Sequence, residues 1–239
     1  MDLELNKIYL ADCYELIKQI LDKSIDLIIT DPPYKMEVNH SVGRYGDVKK
    51  ISFTQIADMS NDFDYSILDE FVRVLKKINL YIWCSKKQIQ FLLDYFVTKK
   101  SCYWELITWH KENAVPTGNN TYISDTEYCL FFRQKGVTLK GNYFTKRKYY
   151  VTYTNMRDKE KFKHPTIKPL GIIKNFVINS CKENGIVFDP FAGSGTTAVA
   201  CRELNRQFIA CEINEDYYNT AINRLNKIRA NGQMTMFLE

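Results

Sequence analysis

Residues 185–197 read GIVFDPFAGSGTT, a short apolar run followed by a glycine-rich turn and then by a helical pattern. Gly193 and Gly195 allow main-chain conformations that a side chain would forbid, so a ligand can approach the backbone closely. The helix that follows would offer free N–H groups to that ligand. Glu212 ends the next apolar run, 23 residues after Asp189. An acid there can accept hydrogen bonds from both hydroxyls of a ribose, and the stretch therefore predicts a nucleoside site.

Two phosphate-binding patterns fit the same stretch less well. A P-loop requires Lys after its last Gly, where Thr196 stands, and the dinucleotide pattern G-x-G-x-x-G requires a third Gly where Ala198 stands. A nucleoside ligand without a pyrophosphate therefore fits better.

Strand-like and helix-like patterns alternate along most of the 239 residues. This alternation predicts an α/β fold, a doubly wound and mostly parallel sheet of about seven strands, in a single domain over residues 1–239. The strands are expected over residues 24–30, 78–84, 105–109, 126–132, 186–188 and 208–211. The helices are expected over residues 13–21, 66–77, 86–98, 168–182, 195–204 and 214–230.

The composition excludes several classes of protein. Hydrophobic residues make up 45% and charged residues 26%, as in ordinary globular domains. No apolar run approaches the roughly 18 residues of a membrane span, so we expect a cytoplasmic protein with no membrane partner. The seven cysteines are scattered without C-x-x-C spacing and are expected to be reduced and buried. With only three histidines as well, no metal site is expected.

A second motif follows another apolar run, because residues 28–34 read IITDPPY. Pro32 and Pro33 stiffen the turn and give up two main-chain donors, which leaves carbonyl oxygens facing outward. The alternative to a reactive site is a stiff turn that carries a solvated Asp31. Tyr34 and the position at a strand end favour the reactive site.

Residues 135–163 form a basic, aromatic insert with nine Lys or Arg residues and two acids. Because Lys and Arg neutralise phosphates and aromatic rings pack on sugars or bases, the insert predicts nucleic-acid binding. An ordinary solvated face is the alternative. The polar stretch 35–64 is expected to join the insert. The expected DNA contacts are Lys140, Lys146, Arg147, Lys148, Tyr149 and Tyr150.

The order of these motifs resembles the β group of the amino-group DNA methyltransferases, which use S-adenosylmethionine (SAM) and carry a D-P-P-Y tetrapeptide. Residues 164–169, HPTIKP, resemble the H-P-T-x-K-P element of the family, and residues 10–12, LAD, resemble another element near the start. The resemblance spans residues 8–228 and implies the Rossmann-like sheet of SAM methyltransferases, with the insert as a short target-recognition region.

By this resemblance, the chain would methylate the exocyclic amine of a base flipped out of duplex DNA. Asp31, Pro32, Pro33 and Tyr34 would form the catalytic tetrapeptide. The Asp31 carboxylate and the Pro32 carbonyl would accept the N–H bonds of the amine, and Tyr34 would stack on the base. Asp at the head of the tetrapeptide favours adenine N6 in this family, with cytosine N4 as the alternative.

The resemblance also implies a SAM site without a metal, whose product is S-adenosylhomocysteine. Glu212 would bind the ribose and Asp12 the adenine amine of the cofactor, although Asp12 also suits a helix N-cap. His164, Thr166 and Lys168 would hold the carboxylate end. The expected cofactor site comprises Asp12, Cys13, Asp31, His164, Thr166, Lys168, Pro169, Asp189, Phe191, Ala192, Gly193, Ser194, Gly195, Thr196 and Glu212.

Partners beyond duplex DNA also follow from resemblance. We expect a homodimer that acts either beside a separate restriction endonuclease or as an orphan enzyme. In the tail, residues 231–239, the stretch 233–237 resembles peptides that bind bacterial sliding clamps, with Met236 in place of the usual Leu; packing on its own domain is the alternative. The rival functions are an RNA methyltransferase, a SAM-regulated DNA-binding module without catalysis, and a dinucleotide oxidoreductase.

Overall fold

The computed structural model describes residues 3–33, 64–114, 122–153 and 167–235, the last seven as main chain only. The strands are β1 (Lys7–Leu10), β2 (Leu27–Thr30), β3 (Asn79–Cys84), β4 (Tyr103–Lys111), β5 (Thr126–Arg133), β6 (Tyr149–Thr152), β7 (Ile186–Asp189) and β8 (Gln207–Glu212). The α-helices are α1 (Cys13–Leu16), α2 (Ile67–Val74), α3 (Lys86–Leu93), α4 (Leu170–Ser180), α5 (Thr196–Glu203) and α6 (Glu215–Thr235).

These strands form one sheet in the order β1-β8-β7-β2-β3-β5-β4-β6. Every pairing is parallel except those that β5 makes with β3 and β4. The predicted doubly wound, mostly parallel α/β fold is confirmed. The sheet has eight strands rather than about seven, because β6 arises from the segment that was interpreted as an insert.

Apolar side chains cover both faces of the sheet. On one face Ile172, Phe176 and Val199 of α4 and α5 join a core cluster with Val187 of β7. On the other face the cluster includes residues of α1, α2 and α3, with Phe71 fully buried. All seven cysteines are free and buried, as predicted. Among the described residues, no helix combines the length and the apolar character that crossing a membrane requires.

The first half of the basic insert is fixed to α4 by one buried side chain. Asn179 donates through Nδ2 to the carbonyl of Thr145 over 2.8 Å and accepts at Oδ1 from the Thr145 hydroxyl over 2.7 Å. The insert then continues into β6, where Tyr149 pairs with Thr108 of β4. Residues 135–153 are therefore built into the sheet and its covering helix.

All six α-helices differ in their bounds from the prediction, and α1 and α3 end five residues earlier than expected, at Leu16 and Leu93. α6 continues through Gly232 to Thr235, beyond the expected end at residue 230. α4 begins at Leu170 with Pro169 as its N-cap, two residues later than expected. Proline lacks an N–H and restricts the residue before it to extended conformations, so the helix starts after Pro169.

The sheet reverses its strand order between β7 and β2, which are neighbours although far apart in sequence. Ile28 pairs with Phe188, so the turns that follow these strands lie side by side at the carboxyl edge. Ligands of open α/β sheets bind in the crevice at such a switch point. The fold thus brings the Asp31 turn and the glycine-rich turn together at one edge of the sheet.

Candidate active site

The glycine-rich turn between β7 and α5 has the main-chain conformation that the sequence predicted. Gly193 and Gly195 have positive φ angles of 50° and 77°, which side chains disfavour. Gly195 is the N-cap of α5 and donates its N–H to the carbonyl of Ala192 over 2.8 Å. Ala192 in turn donates to the carbonyl of Cys211 over 2.9 Å, which ties the turn to β8.

Glu212, at the end of β8, is bound to this turn. Gly193 donates its N–H to Oε2 over 2.7 Å, and Asn214 donates its N–H to Oε1 over 2.8 Å. Burial raises the pKa of Glu212, and these N–H donors oppose the rise. Each oxygen of a carboxylate can accept more than one hydrogen bond, so Glu212 can also receive a ligand hydroxyl.

Asp12 lies beside Glu212, because β1 pairs with β8 and Ala11 donates its N–H to the Glu212 carbonyl over 3.1 Å. Its Oδ1 accepts from the Tyr14 N–H over 2.8 Å, so Asp12 is the N-cap of α1. Cys13 is buried in the core, and burial raises the pKa of its thiol to about 12. Of these two predicted cofactor residues, only Asp12 offers a polar side chain to the carboxyl edge.

Asp189, at the end of β7, contacts the glycine-rich turn from its buried side. The residue is 5% exposed. Its Oδ1 accepts from the Phe191 N–H over 3.2 Å, and the Thr197 side chain forms another hydrogen bond with it. Burial raises its pKa to about 7. In the structure, Asp189 therefore stabilises the turn through hydrogen bonds. Its contact with the cofactor stays a prediction.

Arg224 of α6 supports the same turn and was missed by the sequence analysis. Its buried Nη1 donates to the Ser194 carbonyl over 2.6 Å, to the Ser194 hydroxyl over 2.8 Å and to the Thr196 hydroxyl over 3.2 Å. The sequence does contain a sign of this role, because Arg224 lies between the buried Ala221 and Leu225 and therefore on the inner side of the helix.

Asp31, directly after β2, belongs to a row of charges that alternate in sign. The Lys168 ammonium forms an ion pair with Asp31 Oδ2 and lies 3.0 Å from Glu127 Oε2. Lys111 Nζ lies 2.5 Å from Glu127 Oε1. Lys168, expected on the cofactor, thus contacts two protein carboxylates here. These ion pairs could not be foreseen from the sequence, because they join residues from distant segments.

The two carboxylates of this row differ electrostatically. Burial raises the pKa of Asp31, although Lys168 opposes the rise. Burial would also raise the pKa of Glu127, but Lys168 and Lys111 outweigh it and the pKa is lowered. Asp31 Oδ1 is buried and accepts no hydrogen bond from the described residues. One oxygen of Asp31 therefore contacts the Lys168 ammonium, and the other is available as a hydrogen-bond acceptor.

Comparison with known proteins identifies the family. The family model named N6_N4_Mtase, DNA methylase, matches residues 25–223. The chain belongs to this family of DNA methylases. The type II methyltransferase M1.MboII of Moraxella bovis is 27% identical to this methylase over 96% of the chain and 100% of the relative. M.HinfI of Haemophilus influenzae is 28% identical over 95% of the chain and 70% of the relative.

Solved structures agree with this assignment. The complex of M1.HpyAVI with SAM matches the methylase with a TM-score of 0.66 and 27% identity, over 92% of this chain and 98% of that one. The cytosine-N4-specific PvuII DNA methyltransferase matches with a TM-score of 0.68 over 93% of this chain and 87% of that one. Its identity is 16%, so this likeness shows the fold alone.

Three predicted site residues of the methylase, Tyr34, His164 and Thr166, lie outside the described residues. The stretch 35–63 lies outside them too. Their roles stay predictions. Within the described ranges, no group of three or more His, Cys, Asp or Glu residues could hold a metal ion.

The predicted DNA contacts of the methylase divide into two groups. Lys140, Lys146, Arg147, Lys148 and Tyr149 have exposed side chains. Tyr150 is half-buried and packs edge-on against Phe176, with ring centroids 6.4 Å apart, while Lys148 pairs with Glu105 over 3.0 Å. Tyr150 is thus a packing residue in this structure, because β6 alternates between the core face and the exposed face.

Proposed function

We propose that this methylase transfers the methyl group of SAM to the exocyclic N6 amine of an adenine flipped out of duplex DNA, in the cytoplasm. The observation that carries the proposal is the Asp31 carboxylate at the switch point of the sheet. One oxygen is held by Lys168, and the other is buried without a hydrogen-bond partner among the described residues.

The chemistry of an exocyclic amine explains why such an oxygen is needed. The nitrogen lone pair is delocalised into the base, so the amine is a poor nucleophile. Asp31 Oδ1 and the Pro32 carbonyl would accept its two N–H bonds and favour a tetrahedral nitrogen whose lone pair can attack. Lys168 favours the ionised form of Asp31, which accepts hydrogen bonds, because an adjacent ammonium stabilises the charged carboxylate and opposes the effect of burial on the pKa of Asp31.

The residues around the glycine-rich turn fit the proposed cofactor. Glu212 and Asp12 place carboxylate acceptors at neighbouring strand ends, which suits the hydroxyls and the amine of a nucleoside. When bound, SAM supplies an electrophilic methyl group. The SAM complex of the similar M1.HpyAVI supports this choice. His164 and Thr166 would complete the site, and no metal is proposed.

Duplex DNA is the proposed substrate, since the relatives are type II DNA methyltransferases. The base must leave the stack for Asp31 to reach its amine. The exposed cations Lys146 and Arg147 on the insert suit the phosphate backbone. Arg147 lies over the rings of Tyr143 and Phe144, 5.5 and 5.3 Å from their centroids, so a cation and two exposed rings form one surface.

Cytosine N4 is the second candidate for the target. The likeness to the fold of the cytosine-N4-specific PvuII enzyme supports it, and the same two acceptors suit either amine. We favour adenine because Asp, rather than Ser, heads the tetrapeptide.

The test is methyl transfer from labelled SAM to unmethylated duplex DNA, followed by digestion to nucleosides and mass spectrometry. We expect N6-methyladenine from the wild type and no product from Asp31→Ala. The matched control is Asp22→Ala, because this aspartate is exposed and its ion pair among the described residues is with Arg73. N4-methylcytosine would overturn the choice of base. A wild type that binds SAM but modifies no DNA would overturn the function.

The proposal extends to assembly. We propose a homodimer, which light scattering on the eluted protein would test, beside either a separate endonuclease or none. We also propose that residues 233–237 bind a sliding clamp. Purified clamp should shift the full chain but not a chain that lacks residues 233–239; equal behaviour of the two chains would reject this contact.

A further inference from the structure

We propose that Glu127 and Lys111 are positioning residues, which act on the target amine through Lys168 and Asp31. The inference rests on the proposed function, since that function makes Asp31 the acceptor of the amine. It assigns to two further side chains the task of setting the charge and the orientation of this acceptor.

The geometry joins the four side chains in one row. Glu127 pairs with Trp109 across β4 and β5, and β5 runs antiparallel, so the start of β5 lies at the carboxyl edge beside the end of β4. Lys111 Nζ and Lys168 Nζ contact the two different oxygens of Glu127, at 2.5 and 3.0 Å. Lys168 then contacts Asp31. The ammonium of Lys168 is thus shared between two carboxylates.

Aromatic side chains border the row, and its four charged side chains are between 6% and 23% exposed. Lys168 Nζ lies 5.0 Å from the ring centroid of Trp83, and Lys111 Nζ lies 5.3 Å from that of Trp109. The two indoles meet edge to face, 6.5 Å apart at 82°, and both are buried. Charges in such surroundings interact more strongly than in water, so a change at Lys111 reaches Asp31 through three successive contacts.

Other titratable groups also face Asp31 from the packed elements. Asp189 of β7 interacts with it, as do the thiols of Cys84 in β3 and Cys129 in β5. Burial raises the pKa of both thiols, so they stay neutral at physiological pH. Asp189 is the one described neighbour outside the row that can change its charge near neutral pH.

The signs of the charges give opposite expectations for the two positioning residues. Glu127 is a like charge for Asp31 and makes its ionisation harder, whereas Lys111 makes it easier. Removing the charge of Glu127 should therefore lower the pH at which Asp31 ionises. Removing the charge of Lys111 should raise it. A purely structural role would not produce shifts of opposite sign.

The experiment compares Glu127→Gln and Lys111→Met with the wild type. The ionisation of Asp31 is followed by infrared titration of its protonated carboxyl stretch, which is assigned by its loss in Asp31→Asn. We expect the midpoint to fall by roughly one pH unit in Glu127→Gln and to rise by roughly one unit in Lys111→Met. The matched control is Glu203→Gln, which removes the carboxylate that pairs with Lys174 on another face of the protein and should leave the midpoint unchanged.

A second readout is the acid limb of the pH–rate profile for methyl transfer in a single turnover. SAM and DNA are used at saturating concentrations, so that any effect of Asp189 on cofactor binding does not change the measured rate of methyl transfer. The acid limb should move in the same directions as the infrared midpoint. The double variant Glu127→Gln/Lys111→Met restores the net charge of the row and should lie between the single variants.

Thermal unfolding of each variant checks that it is folded. The inference would be overturned if the midpoint of the infrared titration of Asp31 stays fixed in the folded variants, or if it moves in the same direction in both. If the infrared midpoints move in opposite directions but the wild type transfers no methyl group, the proposed function fails while the coupling within the row stands.

Discussion

Gly195 lies so close to Ala221 that a Cβ atom at position 195 would stand 2.7 Å from the Cβ of Ala221. Real Cβ atoms do not approach so closely, so the turn before α5 and the middle of α6 are fitted to one another at this point. Arg224, three residues further along α6, binds the same turn. The last helix therefore supports the candidate cofactor site from behind.

The first prediction tests this contact. Gly195→Ala combines an overlap with Ala221 and a positive φ angle, so we expect it to lower the free energy of unfolding by about 2–3 kcal/mol. Gly171→Ala is the matched control, because nothing lies within 4 Å of the added Cβ at this exposed helical position; it should raise the free energy by up to about 1 kcal/mol. Urea denaturation measures both, and equal midpoints would contradict the packing described here.

A second prediction concerns Arg224. Arg224→Met leaves the Ser194 carbonyl and two hydroxyls without their donor, so the unfolding free energy should fall by about 2–4 kcal/mol. SAM affinity, measured by isothermal titration, should fall about tenfold, which corresponds to about 1.4 kcal/mol. Lys227→Met removes an exposed cation from the same helix and should match the wild type. Unchanged SAM affinity in a folded Arg224→Met would show that the turn does not depend on this side chain.

The third prediction concerns pH and Asp189. Burial raises its pKa to about 7, above the 3.8 of an exposed aspartate, so the folded chain retains a proton that the unfolded chain loses. Its contribution to stability is full below pH 4 and is lost as the pH rises through 7. Asp189→Asn cannot ionise. Relative to the wild type it should gain on the order of 1–3 kcal/mol of unfolding free energy between pH 4 and pH 8.

Urea denaturation at a series of pH values measures that difference. An Asp189→Asn variant whose stability falls with pH as steeply as that of the wild type would show that another group carries the pH dependence.

The fourth prediction concerns the DNA surface. Replacing Lys146 and Arg147 by Gln removes two exposed cations, so DNA affinity should fall and the slope of log K against log salt should decrease by about 1–2. Lys7→Gln/Lys18→Gln is the control with the same change of charge, because these exposed lysines lie in and just after β1, at the other end of the strand order from β6. Fluorescence anisotropy on duplex DNA measures both. Equal salt slopes in the two double variants would rule out phosphate contacts at the insert.

Much of the fold could be predicted from local patterns. The runs before Asp31 and Asp189 are continuous and apolar, as buried parallel strands are, and both were correctly predicted as strands that end at a turn. β1 was missed because Lys7–Leu10 is short and only Ile8 of it is fully buried. β6 was missed because its tyrosines lie among lysines and were interpreted as DNA contacts alone.

The site could be predicted less completely, for a physical reason. Glu212 could be predicted from the apolar run that it ends, and Asp12 from the stretch LAD at residues 10–12. The contacts of Lys168 and Glu127 do not, because they join residues from distant segments and depend on the antiparallel direction of β5. The spacing of residues along the sequence does not indicate that β5 runs antiparallel to its neighbours.

The pairing of β1 with β8 has a consequence for synthesis of the protein. Lys7 pairs with Ile209, so β1 is synthesised before the other described strands but has no neighbour in the sheet until β8, the last described strand, has been made. Contacts of such long range close late and slow folding. During translation, the strand that leads to Asp12 stays unpaired while β2, β3, β4 and β5 can already associate. We therefore expect nascent chains that stop before β7 to expose apolar edges and to depend on chaperones, and the nucleoside pocket to be the last part of the protein to form.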